Sequence, residues 1–306
     1  MKVLVSGLVN IETTLKIEQF PIEYYPVGYP FFGIKSNVSG VAYNVVKALS
    51  TLENEVGLAT FIGTDDEGER IRKELKKQNV KEEFICRELQ ETPVSIILYD
   101  NEGKRQIHCD LKDVQERKMD YSKIEVAVAD SDVVVLCNIN FNRELLKKVK
   151  EAGKIIASDV HVISDMNDEY NQDFMKYADI LFFSDEKLPC EVLEFLKQMK
   201  TKYEARIMVI GLGKKGAMLY ERENDKIYLL QAANVGEVVN TIGAGDALFS
   251  SFINYYLKGH SAVEALKRAE IFAALKIRHN GAAVGFCSEK VVEEYYQTCS
   301  IEVQEL

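Results

Sequence analysis

A short run of small residues followed by a carboxylate lies in the last quarter of the chain: Asn240-Thr241-Ile242-Gly243-Ala244-Gly245-Asp246. An apolar helical pattern begins directly after it, which predicts that Gly243, Ala244 and Gly245 lie at a helix N-terminus. Unpaired N–H groups at such a terminus can bind a phosphate or another anion. Asp246, which we expect the helix dipole to keep ionised, would accept a proton from a hydroxyl group beside that anion. These parts suit phosphoryl transfer to an alcohol, although a helix cap with a tight turn would use the same residues.

Polar side chains in the first fifty residues are suited to binding hydroxyl groups. Asn10 and Glu12 follow an apolar run, and Asn44 lies in a segment with helical periodicity. A carboxylate and two amides can satisfy several hydroxyl groups that would otherwise be buried without a partner. From its position alone, Asn44 could equally be a polar residue on the outer face of a helix.

A second glycine motif, Gly211-Leu212-Gly213-Lys214-Lys215-Gly216, matches the G-x-G-x-x-G pattern of dinucleotide-binding proteins. That pattern requires a helix after the glycines, whereas the residues up to 230 are typical of a hairpin. Gly216 is followed by Ala217 and not by Lys, which also argues against a P-loop. We therefore predict neither a dehydrogenase nor a P-loop enzyme.

Histidines and acidic runs give no further site. The four histidines lack H-x-x-x-H spacing, and we expect them at the surface or in loops; they are His108, His161, His260 and His279. The run Asp65-Asp66-Glu67 precedes a charged helical segment, residues 69–78, and is interpreted as the acidic start of that helix.

The composition excludes several classes of protein. The 306 residues include 38 Lys and Arg against 48 Asp and Glu, a net charge of −10, and 47% of them are hydrophobic. Such a chain can bury a large core and lacks the clustered cations that bind nucleic acid. Its longest clear apolar runs are about five residues, whereas a membrane-spanning helix needs about 20, so we expect no membrane partner. The six cysteines lack C-x-x-C spacing, which predicts reduced thiols in a cytoplasmic protein.

Short apolar runs alternate with helical segments along the chain. This alternation predicts an α/β fold, a mostly parallel sheet between layers of helices, in a single domain spanning residues 1–306. The predicted strands are residues 3–9, 56–62, 133–137, 155–157, 180–183 and 207–210. The predicted helices include residues 41–52, 142–152 and 192–199.

Two stretches, residues 12–20 and 93–108, alternate apolar and polar residues, which is typical of one-sided antiparallel strands. Asn101-Glu102-Gly103 predicts a hairpin turn inside the second stretch. We expect a small separate sheet that serves as a lid, as a dimer contact, or as both, because its apolar face needs a cover. The connecting residues 21–33 carry three of the five prolines and five aromatic residues, and we expect them to pack near the lid.

The motif that ends at Asp246 resembles the Asp-Thr-x-Gly-Ala-Gly-Asp signature of the ribokinase (PfkB) family of carbohydrate kinases, and it lies where that family carries it. The resemblance extends along the chain, to Gly7 with Asn10 and Glu12 and to residues 39–44, 61–68 and 212–217. It implies a three-layer ribokinase-like fold with a small β-sheet lid. It also implies an enzyme that transfers the γ-phosphate of ATP to a hydroxymethyl group of a small carbohydrate.

The resemblance assigns roles to individual residues. Asp246 corresponds to the catalytic base, and Gly243, Ala244 and Gly245 correspond to the anion hole for the transferred phosphoryl group. The implied substrate-binding positions are Asn10, Glu12, Gly40 and Asn44. The implied nucleotide-binding positions are Ser184, Gly213, Gly216, Thr241, His279 and Asn280. ATP and Mg²⁺ are implied as cofactors by the resemblance alone; phosphates and water would hold most of the metal, and no metal ligand is assigned.

Several positions depart from the family pattern. Ser39 replaces the first glycine of a Gly-Gly pair, and Glu12 replaces an aspartate in the strand that binds the sugar. Asn240 removes a carboxylate near where the family binds a monovalent cation, which argues against activation by potassium. Ser184 and Lys187 replace the Asn and Glu of an Asn-x-x-Glu element that orders the waters of Mg²⁺, which argues for weak metal affinity.

Two alternatives to a sugar kinase remain at this point. The aromatic loop of Tyr24, Tyr25, Tyr29, Phe31 and Phe32 would suit stacking on a base, as a nucleoside kinase requires. The substitutions just described would suit a relative that binds a sugar or a nucleotide without turnover, whereas the intact motif around Asp246 argues against it. For either enzyme we expect a homodimer formed through the lid strands.

Overall fold

Together with nine helices, fourteen strands, most of them short and buried, form in the part of the chain that the computed structural model describes, residues 1–101 and 104–306. In chain order they are β1 (Lys2–Ser6), β2 (Asn10–Lys16), β3 (Ile34–Ser39), β4 (Glu55–Gly63), β5 (Ile85–Leu89), β6 (Val94–Tyr99), β7 (Arg105–Asp110), β8 (Val133–Leu136), β9 (Ile155–Val162), β10 (Ile180–Ser184), β11 (Ile207–Gly211), β12 (Ala217–Glu221), β13 (Lys226–Leu230) and β14 (Val303–Glu305). The helices are α1 (Val41–Thr51), α2 (Asp66–Lys77), α3 (Tyr121–Asp130), α4 (Arg143–Glu151), α5 (Gln172–Tyr177), α6 (Val192–Lys202), α7 (Ala244–Leu257), α8 (Ala262–Lys276) and α9 (Glu289–Tyr296).

Ten strands form one large sheet in the order β14-β13-β12-β11-β10-β9-β8-β1-β4-β5. In this spatial order, the neighbouring strands from β11 through β1 to β5 are parallel to one another. Strands β12, β13 and β14 add an antiparallel edge. Successive residues of a strand point to opposite faces. Val133 and Val135 therefore pack into the core that contains α1, α7 and α8, while Val134 and Leu136 pack into the core that contains α3 to α6. The three-layer architecture expected from the sequence is confirmed.

Four strands form a second, smaller sheet in the order β3-β2-β6-β7. The predicted lid sheet therefore exists, but its bounds differ: β2 covers residues 10–16 and not 12–20, and the second stretch forms the antiparallel pair β6 and β7. Of the predicted hairpin turn, Glu102 and Gly103 lie outside the described residues. Strand β3 is not apparent from the sequence, since Ile34–Ser39 is largely polar and its first four residues are exposed.

The aromatic loop, residues 21–33, does not pack as expected. Tyr24 is 89% exposed and Phe32 is 97% exposed, and Tyr25, Tyr29 and Phe31 are also exposed. None of these five aromatic side chains belongs to a core cluster of the described residues. The expectation that this loop packs near the lid is wrong for the single chain.

Other local expectations are confirmed. Residues 211–216 lead into the hairpin of β12 and β13 and not into a helix. Asp65 caps α2 by accepting a hydrogen bond from the N–H of Gly68, at 3.0 Å.

All six cysteines are unpaired. Within the described ranges no helix is both long enough and apolar enough to cross a membrane.

Candidate active site

Helices α1 and α7 bring together the two polar side chains at the centre of the site. Nδ2 of Asn44, on α1, donates a hydrogen bond of 2.7 Å to Oδ2 of Asp246, in the first turn of α7. The two residues lie 202 positions apart in sequence, so only the fold makes this contact. Asn44 is buried against Asp246 and does not lie on an outer helix face.

The turn before α7 has the geometry of an anion-binding site. Gly243 precedes the helix with φ of 78°, and a Cβ atom there would lie 2.4 Å from the carbonyl oxygen of Ala282. The N–H of Ala244 donates to the carbonyl of Thr241, whereas the N–H groups of Gly245 and Asp246 find no acceptor among the described residues. Nothing lies within 4 Å of a Cβ atom built at Gly245. Two free N–H groups therefore border open space at a helix N-terminus, where an anion is stabilised.

Burial has the largest effect on the electrostatics of Asp246. Desolvation and, to a smaller extent, repulsion from Asp159 raise the pKa of its carboxyl above the ordinary value; His161, the hydrogen bond from Asn44 and the charge of Lys276 oppose that rise. This upward shift was not anticipated from the sequence, where only the helix dipole was considered. A raised pKa makes the carboxylate a stronger base, provided that it is deprotonated.

Strand β2 and the start of α1 supply the expected hydroxyl-binding groups. Glu12 is buried and its Oε2 accepts a hydrogen bond of 3.1 Å from Oγ of Ser39, the position where the family pattern has glycine. Nδ2 of Asn10 donates to Oγ of Ser95, at 3.0 Å, while its buried Oδ1 finds no partner in the described residues. A buried amide oxygen without a donor costs free energy unless a ligand supplies one. Gly40 is the residue before the first turn of α1.

Burial also acts on Glu12, whose pKa is raised above its ordinary value by desolvation and, to a smaller extent, by repulsion from Asp246. The hydrogen bond from Ser39 and the charge of Lys276 lower it. Two acids that repel one another thus face the same space, which favours ligands that donate hydrogen bonds, such as sugar hydroxyls.

Two residues of β9, Asp159 and His161, belong to the site although the sequence analysis assigned them no role. Nδ1 of His161 lies 3.6 Å from Oδ2 of Asp159, and both residues influence the carboxyl of Asp246. His161 lies in a strand and not in a loop, while its side chain, 39% exposed, reaches the surface as expected. The sequence contained only a weak signal for these two residues. Both lie in the second half of a buried strand, near the carboxyl edge of a parallel sheet, where ligands commonly bind.

A third residue that sequence reasoning missed is Lys276, the last residue of α8. Its side chain is fully buried, and its Nζ donates a hydrogen bond to the backbone carbonyl of Ile242. In sequence it looks like an ordinary basic residue at a helix C-terminus, where cations are common.

The positions expected to bind nucleotide divide into two groups. Asn280 lies beside the anion-binding turn: its Oδ1 accepts from Nδ2 of Asn240 at 2.9 Å, and its Nδ2 donates to the hydroxyl of Tyr99, on β6, at 3.2 Å. Thr241 is exposed in the same turn, next to Ile242, and the ring of His279 packs against Gly285.

The second group lies at the carboxyl end of neighbouring strands. Ser184, which ends β10, pairs with Gly211 of β11, and Gly213 follows in the next turn. The hydroxyl of Ser184 accepts a hydrogen bond from the N–H of Glu186. Gly216 is required by the fold itself, since its φ is 100° and a Cβ atom would lie 2.0 Å from the carbonyl oxygen of Leu230. The structure brings these residues to the same edge as Asp246 but shows no direct contact with it.

A cavity of about 530 Å³ extends from the buried acid Glu12 toward the solvent between β3, α1 and α2. Its wall includes Ser39 and Tyr43, together with both signs of charge. The charged residues that line it, besides Glu12, are Lys47, Asp66, Glu69, Arg70, Lys73, Glu74 and Lys77. The cavity is therefore polar and large enough for a small sugar or sugar phosphate.

The chain matches the model of the pfkB family of carbohydrate kinases over residues 1–289 and belongs to this family. Kinases of the family are phosphotransferases with an alcohol acceptor, so this chain is a sugar kinase, and family members use ATP.

Individual relatives agree with this membership. The chain is 26% identical over 285 residues to the ATP-dependent ribose-1-phosphate kinase of Halopiger xanaduensis, which covers 92% of this chain and 94% of the relative. It is 23% identical over 318 residues to the ribokinase of Dictyostelium discoideum, covering 93% and 96%.

Solved structures show the same fold. A microbiome-derived acarbose kinase superposes with a TM-score of 0.86 at 21% identity, covering 96% of this chain and 97% of that one. The ribokinase of Arabidopsis thaliana, complexed with ribose and ATP, superposes with a TM-score of 0.78 at 21% identity, covering 95% and 97%.

Proposed function

We propose that this kinase transfers the γ-phosphate of ATP to a hydroxymethyl group of a small carbohydrate, with Asp246 as the general base. One observation carries the proposal: the carboxylate of Asp246 lies beside two unsatisfied N–H groups, those of Gly245 and Asp246 itself, and faces the hydroxyl-binding residues of β2. A base, an anion hole and an acceptor site thus meet at one point.

The residues divide the work as follows. Asn10, Glu12 and Asn44 orient the sugar through its hydroxyl groups, and Asn44 also holds the carboxylate of Asp246 in place. Asp246 takes the proton of the attacking hydroxyl as that oxygen bonds to the γ-phosphorus and the bond from this phosphorus to the β,γ-bridging oxygen breaks, which releases ADP. The N–H groups at the start of α7 stabilise the negative charge of the phosphoryl group in transit. The lid excludes water, which would otherwise compete as acceptor.

Mg²⁺ and the nucleotide belong to the proposal as well. Within the described residues no group of three or more His, Cys, Asp or Glu side chains could hold a metal ion. We propose an ion held mainly by the phosphates and by water, with Asp185 or Glu186, which follow β10, as the acid that would orient such waters. The metal would neutralise phosphate charge. For the nucleotide we propose Ser184, Gly213, Gly216, Thr241, His279 and Asn280.

A phosphorylated pentose is a second candidate acceptor. The cavity above Glu12 carries four cationic side chains, of which Arg70 donates to Ser36 and Lys77 pairs with Glu74. Lys47 and Lys73 line the same cavity and would face a phosphate group on the substrate. The similarity to a ribose-1-phosphate kinase favours including such acceptors. The exposed aromatic loop, in contrast, lines no part of this cavity and gives no support to base stacking by a nucleoside kinase.

The test is ADP and product formation from ATP and Mg²⁺ with pentoses, hexoses, pentose phosphates and nucleosides, with Asp246→Asn beside the wild type. We expect one class to be phosphorylated and the variant to lose about 10² to 10⁴ in kcat, because the amide cannot accept the proton. Asp130→Asn, at an exposed acid of α3, is the matched control and should keep the wild-type kcat. Ligand binding without turnover of any acceptor would contradict the proposal and support a non-catalytic relative.

A further inference from the structure

The buried lysine of α8 has no role in the chemistry described so far. Lys276 is 0% exposed and its Nζ donates to the carbonyl oxygen of Ile242, the residue before Gly243. In the described part of the chain this is the one hydrogen bond of the side chain. An ammonium group has three donors and a full charge, so burying it with one neutral acceptor is costly. Residues of this kind are retained where their charge has a function.

The charges around Lys276 are those of the active site. Asp246 and Glu12 attract the ammonium, and Arg105 of β7 repels it. Desolvation outweighs these attractions and lowers its pKa to about 8, which still leaves most of the lysine protonated at pH 7. The side chain therefore places a positive charge close to both acids of the site, in a position that is buried from solvent.

The hydrogen bond of Lys276 also fixes the anion-binding turn. The end of α8 already holds this segment, because the N–H groups of Val239 and Asn240 both donate to the carbonyl of Ile277. Lys276 adds a charge-assisted hydrogen bond to the backbone carbonyl of Ile242, two residues further along the chain. Because a peptide unit is planar, fixing this carbonyl also fixes the N–H of Gly243 on its opposite side. The direction of the turn into α7 is thus set from α8.

No carboxylate accompanies this carbonyl in the turn. The nearest side chain of the turn is Asn240, whose Oδ1 accepts from the N–H of Ile242 and whose Nδ2 donates to Asn280. The amide of Asn240 has hydrogen-bond partners for both its oxygen and its nitrogen and is neutral, so it offers no charge to a dissolved cation. The ammonium of Lys276, in contrast, is already in place.

We propose that Lys276 is a positioning residue for phosphoryl transfer, a tethered cation that holds the Ile242–Gly243 peptide and makes the rate independent of dissolved monovalent cations. The inference rests on the proposed kinase function. Lys276 touches neither acceptor nor nucleotide; it acts through the turn and through the field at Asp246.

The experiment compares turnover in chlorides of K⁺, Na⁺ and tetramethylammonium for the wild type, Lys276→Met and Lys276→Ala. Lys290→Met, which removes an exposed lysine of α9, is the matched control. We expect the wild-type kcat to change less than about twofold among the salts. Lys276→Met should lose about 10-fold to 100-fold in kcat with little change in the KM for ATP, and ammonium or methylammonium ions should restore part of the rate of Lys276→Ala.

Three results would overturn the inference. They are a strong activation of the wild type by K⁺, a wild-type kcat in Lys276→Met, and a loss of rate that ammonium ions do not restore and that accompanies a lower Tm. If both variants fail to fold, the salt dependence of the wild type decides. If the wild type phosphorylates no acceptor, the kinase proposal fails separately. Hydrogen exchange of the backbone amides of residues 239–246 then tests the fixed turn. An exchange rate in Lys276→Met equal to that of the wild type rejects the fixed turn, and a faster rate supports it.

Discussion

At the scale of single residues, the two outer glycines of the anion-binding turn have different tasks. Gly243 satisfies a requirement of the chain: its φ is positive and a methyl group would meet the carbonyl of Ala282. Gly245 satisfies a requirement of the ligand, since space for a methyl group exists but lies where the phosphoryl group would bind. The same residue type thus serves folding at one position and chemistry two positions later.

Substituting each glycine by alanine separates these tasks. Gly243→Ala should lower the free energy of unfolding by about 1 to 3 kcal/mol, because it forces a strained backbone. Gly245→Ala should leave stability unchanged or raise it by up to about 1 kcal/mol, as alanine favours helices, while the turnover rate falls. Urea unfolding and kcat, measured for both variants, check this. Equal losses of stability in the two would contradict it.

The residues found from sequence and those missed differ in how their contacts arise. Asp246, Asn44, Asn10 and Glu12 were assigned through local motifs that resemble a family, and the structure places Asn44 against Asp246 and Glu12 close enough to feel its charge. The role of Lys276 depends on one contact with Ile242, 34 residues away, which no local spacing announces. The same holds for Asp159 and His161, which reach Asp246 only because β9 ends beside α7.

At the scale of elements, strand prediction succeeded where both faces of a strand are buried. β4, β8 and β10 have continuous apolar runs, and their predicted bounds are correct to within a residue or two. β3 was missed, because its pairing with β2 depends on backbone hydrogen bonds and not on apolar side chains. β1 was predicted to extend to residue 9 but ends at Ser6. The backbone approaches Cys137 closely at Gly7, before the chain turns into the lid.

The lid contacts the anion-binding turn and two segments beside it. Among the described residues, Ile97 of β6 packs with Ile242 and Ala282, the hydroxyl of Tyr99 accepts from Asn280, and a guanidinium nitrogen of Arg105 lies 3.7 Å from a carboxylate oxygen of Glu186, after β10. Because the lid touches the turn that we propose binds the phosphoryl group, we expect closure of the lid and assembly of that turn to occur together.

Tyr99→Phe tests this coupling, since it removes one hydroxyl and keeps the ring. We expect the kcat/KM for the sugar to fall roughly fivefold, the value of about 1 kcal/mol for one hydrogen bond, and the ratio of ADP to sugar phosphate to rise as water enters. Tyr228→Phe, on β13 far along the large sheet, is the control. An unchanged ratio of the two products would show that this contact does not hold the lid.

At the scale of the whole molecule, the outer part of one lid face is exposed among the residues that the structure describes. The register of β2 against β3 and β6 places Leu15, Ile34, Ile96 and Leu98 on the face opposite Glu12. Ile34 is 59% exposed and Ile96 is 49% exposed. We propose that a second copy of the chain covers this face and the aromatic loop, which gives the homodimer expected from the sequence.

Ile96→Glu should convert the dimer to a monomer, because a charge would be buried in the interface. Val126→Glu, at an exposed position of α3 away from the lid, should leave it intact. Sedimentation velocity over a range of concentrations distinguishes the two states. A wild type with the mass of one chain at all concentrations would rule out the dimer.

Strand β2 belongs to the lid and also carries Asn10 and Glu12, the residues that we propose bind the sugar. In this proposal the same seven residues of β2 therefore affect both the choice of substrate and the motion of the lid. A mutation that adapts this strand to a new sugar also alters its pairing with β3 and β6, so its benefit depends on what those strands already contain. During evolution within this family, changes of specificity are expected to be strongly epistatic, with compensating substitutions appearing in the neighbouring strands before or soon after the change in β2.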